Sequence, residues 1–374
     1  MQEFFFLPLC LFFYVIATNT EAGWLYVLLA VLAGLLVTGW IGPRLTVRGL
    51  IARREVLGDP QAGDTVVMRL SITNPGPRTR WYLTVRDVAP AGLQPERGDY
   101  RMGIDRLAPG ESAAVEYDLD CPRRGRFNLG AVSVVSATPL GLFPAYARCA
   151  APGTLVVWPV GPHVARLPVH TAVPSTVVPH HVNTVLGHSH DLAGIREYRA
   201  GEDVRFIHWP STARAGDLMI KEFHDISSQS IAILLDAHRD SQSLVEQMVS
   251  GATSLCTAAH RHNMPITLIV GREVLRHPRA PQALSALAAV EADGALSPQD
   301  LIRTAAPAVP ARVHLFLVTA RPDWEAADLA PLHDRRAWVS VLLFRASGER
   351  LRAAGLNVYE VDDVENLPEV LAHG

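Results

Sequence analysis

The chain has 374 residues, with 34 basic against 37 acidic side chains and a net charge of −3. A single small module is excluded, since domains run to about 100 to 200 residues, and no bulk field favours nucleic acid or an acidic polymer as partner. Four cysteines, Cys10, Cys121, Cys149 and Cys256, form no CxxC pair and no metal-ligand spacing, which fits a reduced compartment, although two of the last three could in principle pair.

Phe4 to Ala17 is almost wholly apolar and Trp24 to Ile41 is a second apolar run without a charge. Separated only by Thr18 to Gly23, the two runs predict a transmembrane helical hairpin over 1–43. The second run reaches the length that spans a bilayer and the first lies near the lower limit. A signal peptide is the rival for the first run, but a basic start and a clear small-residue cleavage site are missing. Arg44, Arg48, Arg53 and Arg54 follow the second run while the connecting loop holds only Glu21. Cations mark the inner side, so the bulk of the chain is expected in the cytoplasm, attached to the inner membrane.

From about Glu55 to Pro159 the hydrophobic period switches to two, as in Val66 to Ile72 and Val115 to Leu119. Turn-formers at Asn74 to Pro77, Ala89 to Gly92 and Ala108 to Gly110 punctuate it, predicting an antiparallel β-sandwich of roughly seven strands over 55–160. The basic turn Pro122 to Arg126 reads either as a solvated loop or as a contact for lipid headgroups. Residues 161–229 open as a connecting segment with neither period. Its histidines at 163, 170, 180, 181, 188 and 190 suggest imidazole ligands, but no carboxylate other than Asp191 follows at ligand spacing, so they are read as linker residues.

Within that segment, Gly194 to Glu222 is the densest run of non-interchangeable side chains. Arg196-Glu197-Tyr198, Gly201-Glu-Asp203, Arg205, Ile207-His208-Trp209, Thr212-Ala-Arg214, Leu218 and Lys221-Glu222 together resemble the signature of the bacterial domain of unknown function 58. Arg123 to Phe127 and Pro139 to Phe143 are similar to two further landmarks of that family. The resemblance implies a membrane-tethered partner of MoxR-type AAA+ ATPases carrying a domain similar to von Willebrand factor A. It implies no chemistry.

Over 230–374, apolar runs at Ser230 to Asp236, Pro265 to Val270, Arg312 to Val318, Trp338 to Phe344 and Val358 to Val361 alternate with helix-compatible sequence. That alternation predicts a doubly wound parallel α/β sheet. The fold class is thus a membrane-anchored α+β chain. Ligands of such sheets bind beyond the carboxyl ends of strands, where Asp236 lies. A von Willebrand A-type domain would there present Asp-x-Ser-x-Ser for Mg²⁺. This chain has His238 and Asp240 in the serine positions, so Asp236 and Asp240 are candidates for a degenerate site only, and no metal or cofactor is expected.

Three classes remain: a non-catalytic adaptor, whose signature is either a docking surface or a buried network, an enzyme, and a metal-dependent adhesion-type binding module. A docking surface would use Trp209 and Tyr198 as aromatic anchors and arginines as partners' contacts. A buried network would instead pair Arg196, Arg205 and Arg214 with Glu197, Asp203 and Glu222. An enzyme would use Ser211 or Thr212 with His208 as base and Asp203 as orienter, but no GxSxG elbow and no nucleotide loop accompany them. The chain's one lysine, Lys221, marks either a site needing a compact ammonium or a solvated strand position. A non-catalytic adaptor is expected, with a MoxR-type ATPase and the lipid bilayer as partners. Trp209→Ala should chiefly destabilise, and Arg214→Ala should chiefly abolish capture.

Overall fold

A computed structural model describes residues 3–20, 23–93, 99–169, 192–198, 207–223, 230–335 and 337–373. The chain divides into two compact units, Met1–Val160 with Leu284–Ala289, and Gly161–Ala283 with Val290–Gly374.

The first unit opens with helices α1 (Glu3–Thr20) and α2 (Gly23–Val47), which pack against each other. Among the described helices α2 alone is long and apolar enough to cross a membrane. The apolar helical part of α1, Pro8–Thr20, is about 20 Å long at about 1.5 Å per residue, against about 30 Å of hydrocarbon. At its far end α2 buries Gly39, Pro43 and Val47, one face at a spacing of four.

Among the described residues nine strands follow: β1 (Ile51–Leu57), β2 (Thr65–Thr73), β3 (Arg80–Val88), β4 (Asp99–Leu107), β5 (Ser112–Asp120), β6 (Gly125–Leu129), β7 (Val132–Ser136), β8 (Ala145–Cys149) and β9 (Gly153–Val157). They form antiparallel sheets in the orders β1-β2-β5, β4-β3-β7-β8 and β6-β9. The alternation that marked β2 is realised as Val66, Met68, Leu70 and Ile72 buried. Leu70 and Ile72 meet Leu83 and Val85 of β3 and Val132 and Val134 of β7 in one core, so two sheets share their apolar faces. The short β6-β9 pair, buried through Phe127, Leu129, Leu155 and Val157, takes the strand number past the expected seven.

A buried ion pair crosses this unit. Arg54 donates to Asp87 from Nε (3.1 Å) and Nη2 (2.6 Å), and Tyr117 donates its hydroxyl to the same carboxylate at 2.5 Å. Arg54 therefore belongs to the core, and three arginines, at 44, 48 and 53, remain to flank the apolar run. All four cysteines are free thiols. Burial pushes the Cys256 thiol up to about 12.

The second unit starts with β10 (Leu192–Glu197), helix α3 (Trp209–Ala215) and β11 (Met219–Phe223). It continues through β12 (Ile231–Leu235), α4 (Val245–Arg261), β13 (Ile266–Val270), β14 (Glu273–Arg276), the start of α5 (Ala280–Ala288), whose residues from Leu284 on belong to the first unit, α6 (Pro298–Ala305), β15 (His314–Thr319), α7 (Ala330–His333), β16 (Trp338–Phe344), α8 (Glu349–Ala353), β17 (Asn357–Val361) and α9 (Leu367–His373). The main sheet runs β14-β13-β12-β15-β16-β17; all pairings are parallel except that of β14. Every residue of β12 and β15 is buried, as covering on both faces requires. The antiparallel edge strand corrects the expectation of a purely parallel sheet. Gly271, at φ 57°, opens a two-residue turn that folds β14 back on β13 before a helix can form.

Candidate functional site

Two places in the second unit carry the expected site residues. At the first, β10 and β11 form an antiparallel ribbon with Ile195 opposite Lys221, Arg196 opposite Ile220 and Glu197 opposite Met219, and a bulge between Leu192 and Gly194 lets Gly194 face Glu222. The Tyr198 amide extends the ribbon by donating to Leu218 O at 2.7 Å. On the other side of β11, Ile207 bridges to Ile220, both buried, and the His208 amide donates to Met219 O.

That anchorage fixes the start of α3. His208 is its N-cap: Nδ1 accepts from the Ser211 amide at 3.3 Å and lies 2.8 Å from Ser211 Oγ. A side-chain acceptor here satisfies one of the amides a helix start leaves without a partner. Gly216, at φ 83°, closes the helix, and Thr212 Oγ1 accepts from the Met219 amide at 3.0 Å. The expected chemical candidates are thus engaged in holding the turn. No residue of α3 is buried.

Trp209 is 65% exposed, and Leu218 44%. Arg214 is exposed too. This corrects the expectation that truncating Trp209 chiefly destabilises, because an aromatic that stays in water contributes little to the core. Gly201, Asp203 and Arg205 lie outside the described residues. Arg196, Lys221 and Glu222 occupy register positions on the ribbon, and the expected pairing of arginines with Asp203 and Glu222 lies outside what the described residues include.

The second place is the end of β12. The Asp236 amide donates to Val318 O, which aligns the carboxylate with the end of β15. Its Oδ2 accepts from Thr319 Oγ1 at 2.8 Å and from Arg321 Nε at 2.7 Å. Thr319 Oγ1 in turn accepts from the Arg321 amide (3.1 Å) and Trp324 Nε1 (3.0 Å), so its one donor and two acceptor positions are used. Arg321 Nη1 donates to Leu296 O at 3.1 Å, and its guanidinium carbon sits 5.6 Å from the centre of the Trp324 ring. Asp236 is 2% exposed and Arg321 5%.

A divalent cation needs several hard oxygens at one point. Here the carboxylate already faces a guanidinium, and Asp240, whose side chain is 73% exposed, stands 3.3 Å from His238 Nδ1 instead. His238 also caps the short turn Arg239–Ser241. Among the described residues no group of three or more histidine, cysteine or carboxylate side chains could hold a metal. The donor set does not fit a Mg²⁺ ion. In the sequence, Thr319 to Asp323 is legible only as a strand end without the acid a metal site would need; the roles of Thr319 and Arg321 as partners of Asp236 escape it, and the available signal is a threonine and an arginine directly after an apolar strand.

Comparison with known proteins finds one family model that matches part of the chain. An uncharacterized protein of Bacillus subtilis (strain 168), YeaD, is 25% identical over 201 residues, covering 52% of this chain and 48% of its own; the chain thus spans about half the length of that relative. Among solved structures, a CARDB domain from Pyrococcus furiosus shares 10% identity at a TM-score of 0.18 over 27% of this chain and 86% of its own. A GH20 exo-β-N-acetylglucosaminidase from Vibrio harveyi shares 11% at a TM-score of 0.23 over 76% and 59%. Scores of that size carry no assignment. The family model described as "Protein of unknown function DUF58" matches residues 194–304, a stretch that starts at the β10 ribbon and takes in both α3 and the Asp236 strand end.

Proposed function

We propose that the chain is a membrane-anchored cytoplasmic adaptor without catalytic activity, docking a MoxR-type AAA+ ATPase on the surface around α3. Its setting would be protein-complex maturation or envelope-related processes. In this reading α1 and α2 both lie in the inner membrane, the antiparallel sheets form a β-sandwich, and the second unit is a von Willebrand A-like domain. The apolarity of α2 and the arginines after it support the anchoring and its orientation. Asp236 at the end of the first parallel strand supports the von Willebrand A reading, and its pairing with Arg321 speaks against the adhesion-type use of such a domain.

The observation that carries the docking reading is the exposure of Trp209 on a helix whose polar side chains are spent on holding it in place. Trp209 and Arg214, both exposed on one short helix, are residue types enriched among interface anchors. The test is affinity capture of the tagged full chain from native membranes, with and without ATP. Recovery of a MoxR-type ATPase in a nucleotide-dependent amount supports the reading; its absence under both conditions overturns it.

One geometry favours a second reading, a hydrolase: His208 Nδ1 lies 2.8 Å from Ser211 Oγ. Against it, the same nitrogen accepts from the Ser211 amide as a helix cap. A fluorophosphonate probe separates the two. Labelling lost in Ser211→Ala would establish the enzyme.

A further inference from the structure

The first unit exposes aromatic side chains where α2 joins it. A β-carbon built on Gly39 would lie 3.4 Å from Leu140 Cδ1 and 3.6 Å from Leu142 and Phe143, and one on Gly42 would lie 2.9 Å from Pro139 Cδ. The loop from Pro139 to Phe143 therefore lies against the helix at Gly39, two residues before its apolar run ends at Ile41. If α2 spans the bilayer, that contact lies at the depth where hydrocarbon gives way to headgroups.

Other exposed groups gather at this level. Thr138 Oγ1 donates to Trp81 O at 2.9 Å, and Arg80 Nη2 donates to Arg48 O at 3.3 Å in the last turn before β1. Trp81 is 46% exposed, Tyr82 66%, Leu140 39%, and Tyr146, one residue past the Ala145–Ser136 pair, 65%. Tyr82 is also held at φ 49°, skipped by the β3-β4 register that passes from Trp81–Arg106 to Leu83–Ile104. Bulky residues rarely adopt that conformation, and the Tyr82 side chain is left largely exposed, on the face of β3 opposite buried Leu83 and Val85. Arg106 covers the Trp81 ring at 5.7 Å, while Arg44 stacks on Trp40 at 4.1 Å.

We propose that Trp81, Tyr82, Leu140 and Tyr146, with Arg48 and Arg106 beside them, form a collar seated in the headgroup layer of the anionic leaflet that α2 enters. The inference rests on the reading of α2 as a membrane span. Tryptophan and tyrosine prefer that layer because one end of each ring system is apolar and the other hydrogen-bonds. Arginines beside them meet anionic headgroups while their stems lie along apolar surface. The collar is continuous with the helix and carries the charge opposite to the leaflet's. It would hold the β unit flush on the membrane.

The test places the photoreactive residue p-benzoylphenylalanine singly at Val31, Tyr82, Tyr146 or Val88 of the full chain in native membranes, followed by mass spectrometry of phospholipid adducts. Val31 sits in the apolar run of α2, and Val88, 61% exposed, at the opposite end of β3 from Trp81. Lipid adducts at Val31, Tyr82 and Tyr146, with none at Val88, are expected. Adducts at Val31 but not at Tyr82 and Tyr146 overturn the collar and leave the span intact. A cross-link from Tyr82 to a second copy in place of lipid overturns it equally, as does equal lipid labelling at Val88. No adduct at Val31 removes the spanning reading itself.

Discussion

Arg321→Met tests whether the strand-end carboxylate is closed by an internal cation. The substitution keeps much of the aliphatic stem beside Trp324 but removes the charge 2.7 Å from Asp236. What remains for that carboxylate is the Thr319 hydroxyl at 2.8 Å, in a position 2% exposed. Stripping one partner from a buried ion pair costs about 3 to 5 kcal/mol, because the other charge stays desolvated. Against a total of about 5 to 15 kcal/mol that is a large fraction. For a unit of this size each kcal/mol shifts melting by about 2 to 4 °C, so a fall of about 6 to 20 °C is expected. The assay is calorimetry on the full chain in detergent, with hydrogen exchange of the β12 and β15 amides as the local readout. Adding Asp236→Asn to Arg321→Met should recover part of the loss, since a neutral amide needs no counter-charge. A loss under about 1 kcal/mol from Arg321→Met, or a double variant less stable than either single one, would refute the reasoning.

The closed strand end also predicts no Mg²⁺ or Mn²⁺ binding tighter than millimolar in calorimetric titration; a micromolar constant that vanishes in Asp236→Ala would restore the adhesion-module alternative. In the first unit, Tyr117→Phe removes a donor to a buried carboxylate and should cost about 1.5 to 3 kcal/mol near neutral pH. Burial, and then the hydrogen bond and charge of Asp87, hold the Tyr117 phenol well above its ordinary value. The stability its neutral form contributes is therefore full below about pH 10 and is lost as pH rises towards the folded value. Denaturant titrations from pH 8 to 11 should show a steeper alkaline decline in the parent chain than in Tyr117→Phe; parallel declines would contradict the pairing.

What sequence made legible was set by local pattern. The all-apolar stretch Ile231 to Leu235 reads as a strand covered on both faces, and the acid that ends it marks the strand's carboxyl end, as found. Long-range pairing was not legible. Arg321 reaches Asp236 across 85 residues, and nothing near either residue names the other. Arg54 was counted as a membrane-flanking cation because it follows an apolar run, yet it pairs with Asp87, 33 residues on. The short β14 was missed since Glu273 to Arg276 has too few residues to declare a period, and its pairing depends on the turn at Gly271. From the sequence, Trp209→Ala is expected chiefly to destabilise although Trp209 is also the docking anchor, because residue type alone does not say what packs on an aromatic, and here it is largely exposed.

The docking role proposed for α3 is tested most directly by measuring whether purified MoxR-type ATPase binds the full chain in lipid nanodiscs, comparing the parent with Trp209→Ala and Arg214→Ala. Each substitution should weaken binding by about 2 kcal/mol or more, roughly thirtyfold or greater, while melting stays within a few degrees because both side chains are exposed. Unchanged affinity in both variants, with the fold intact, would contradict the account.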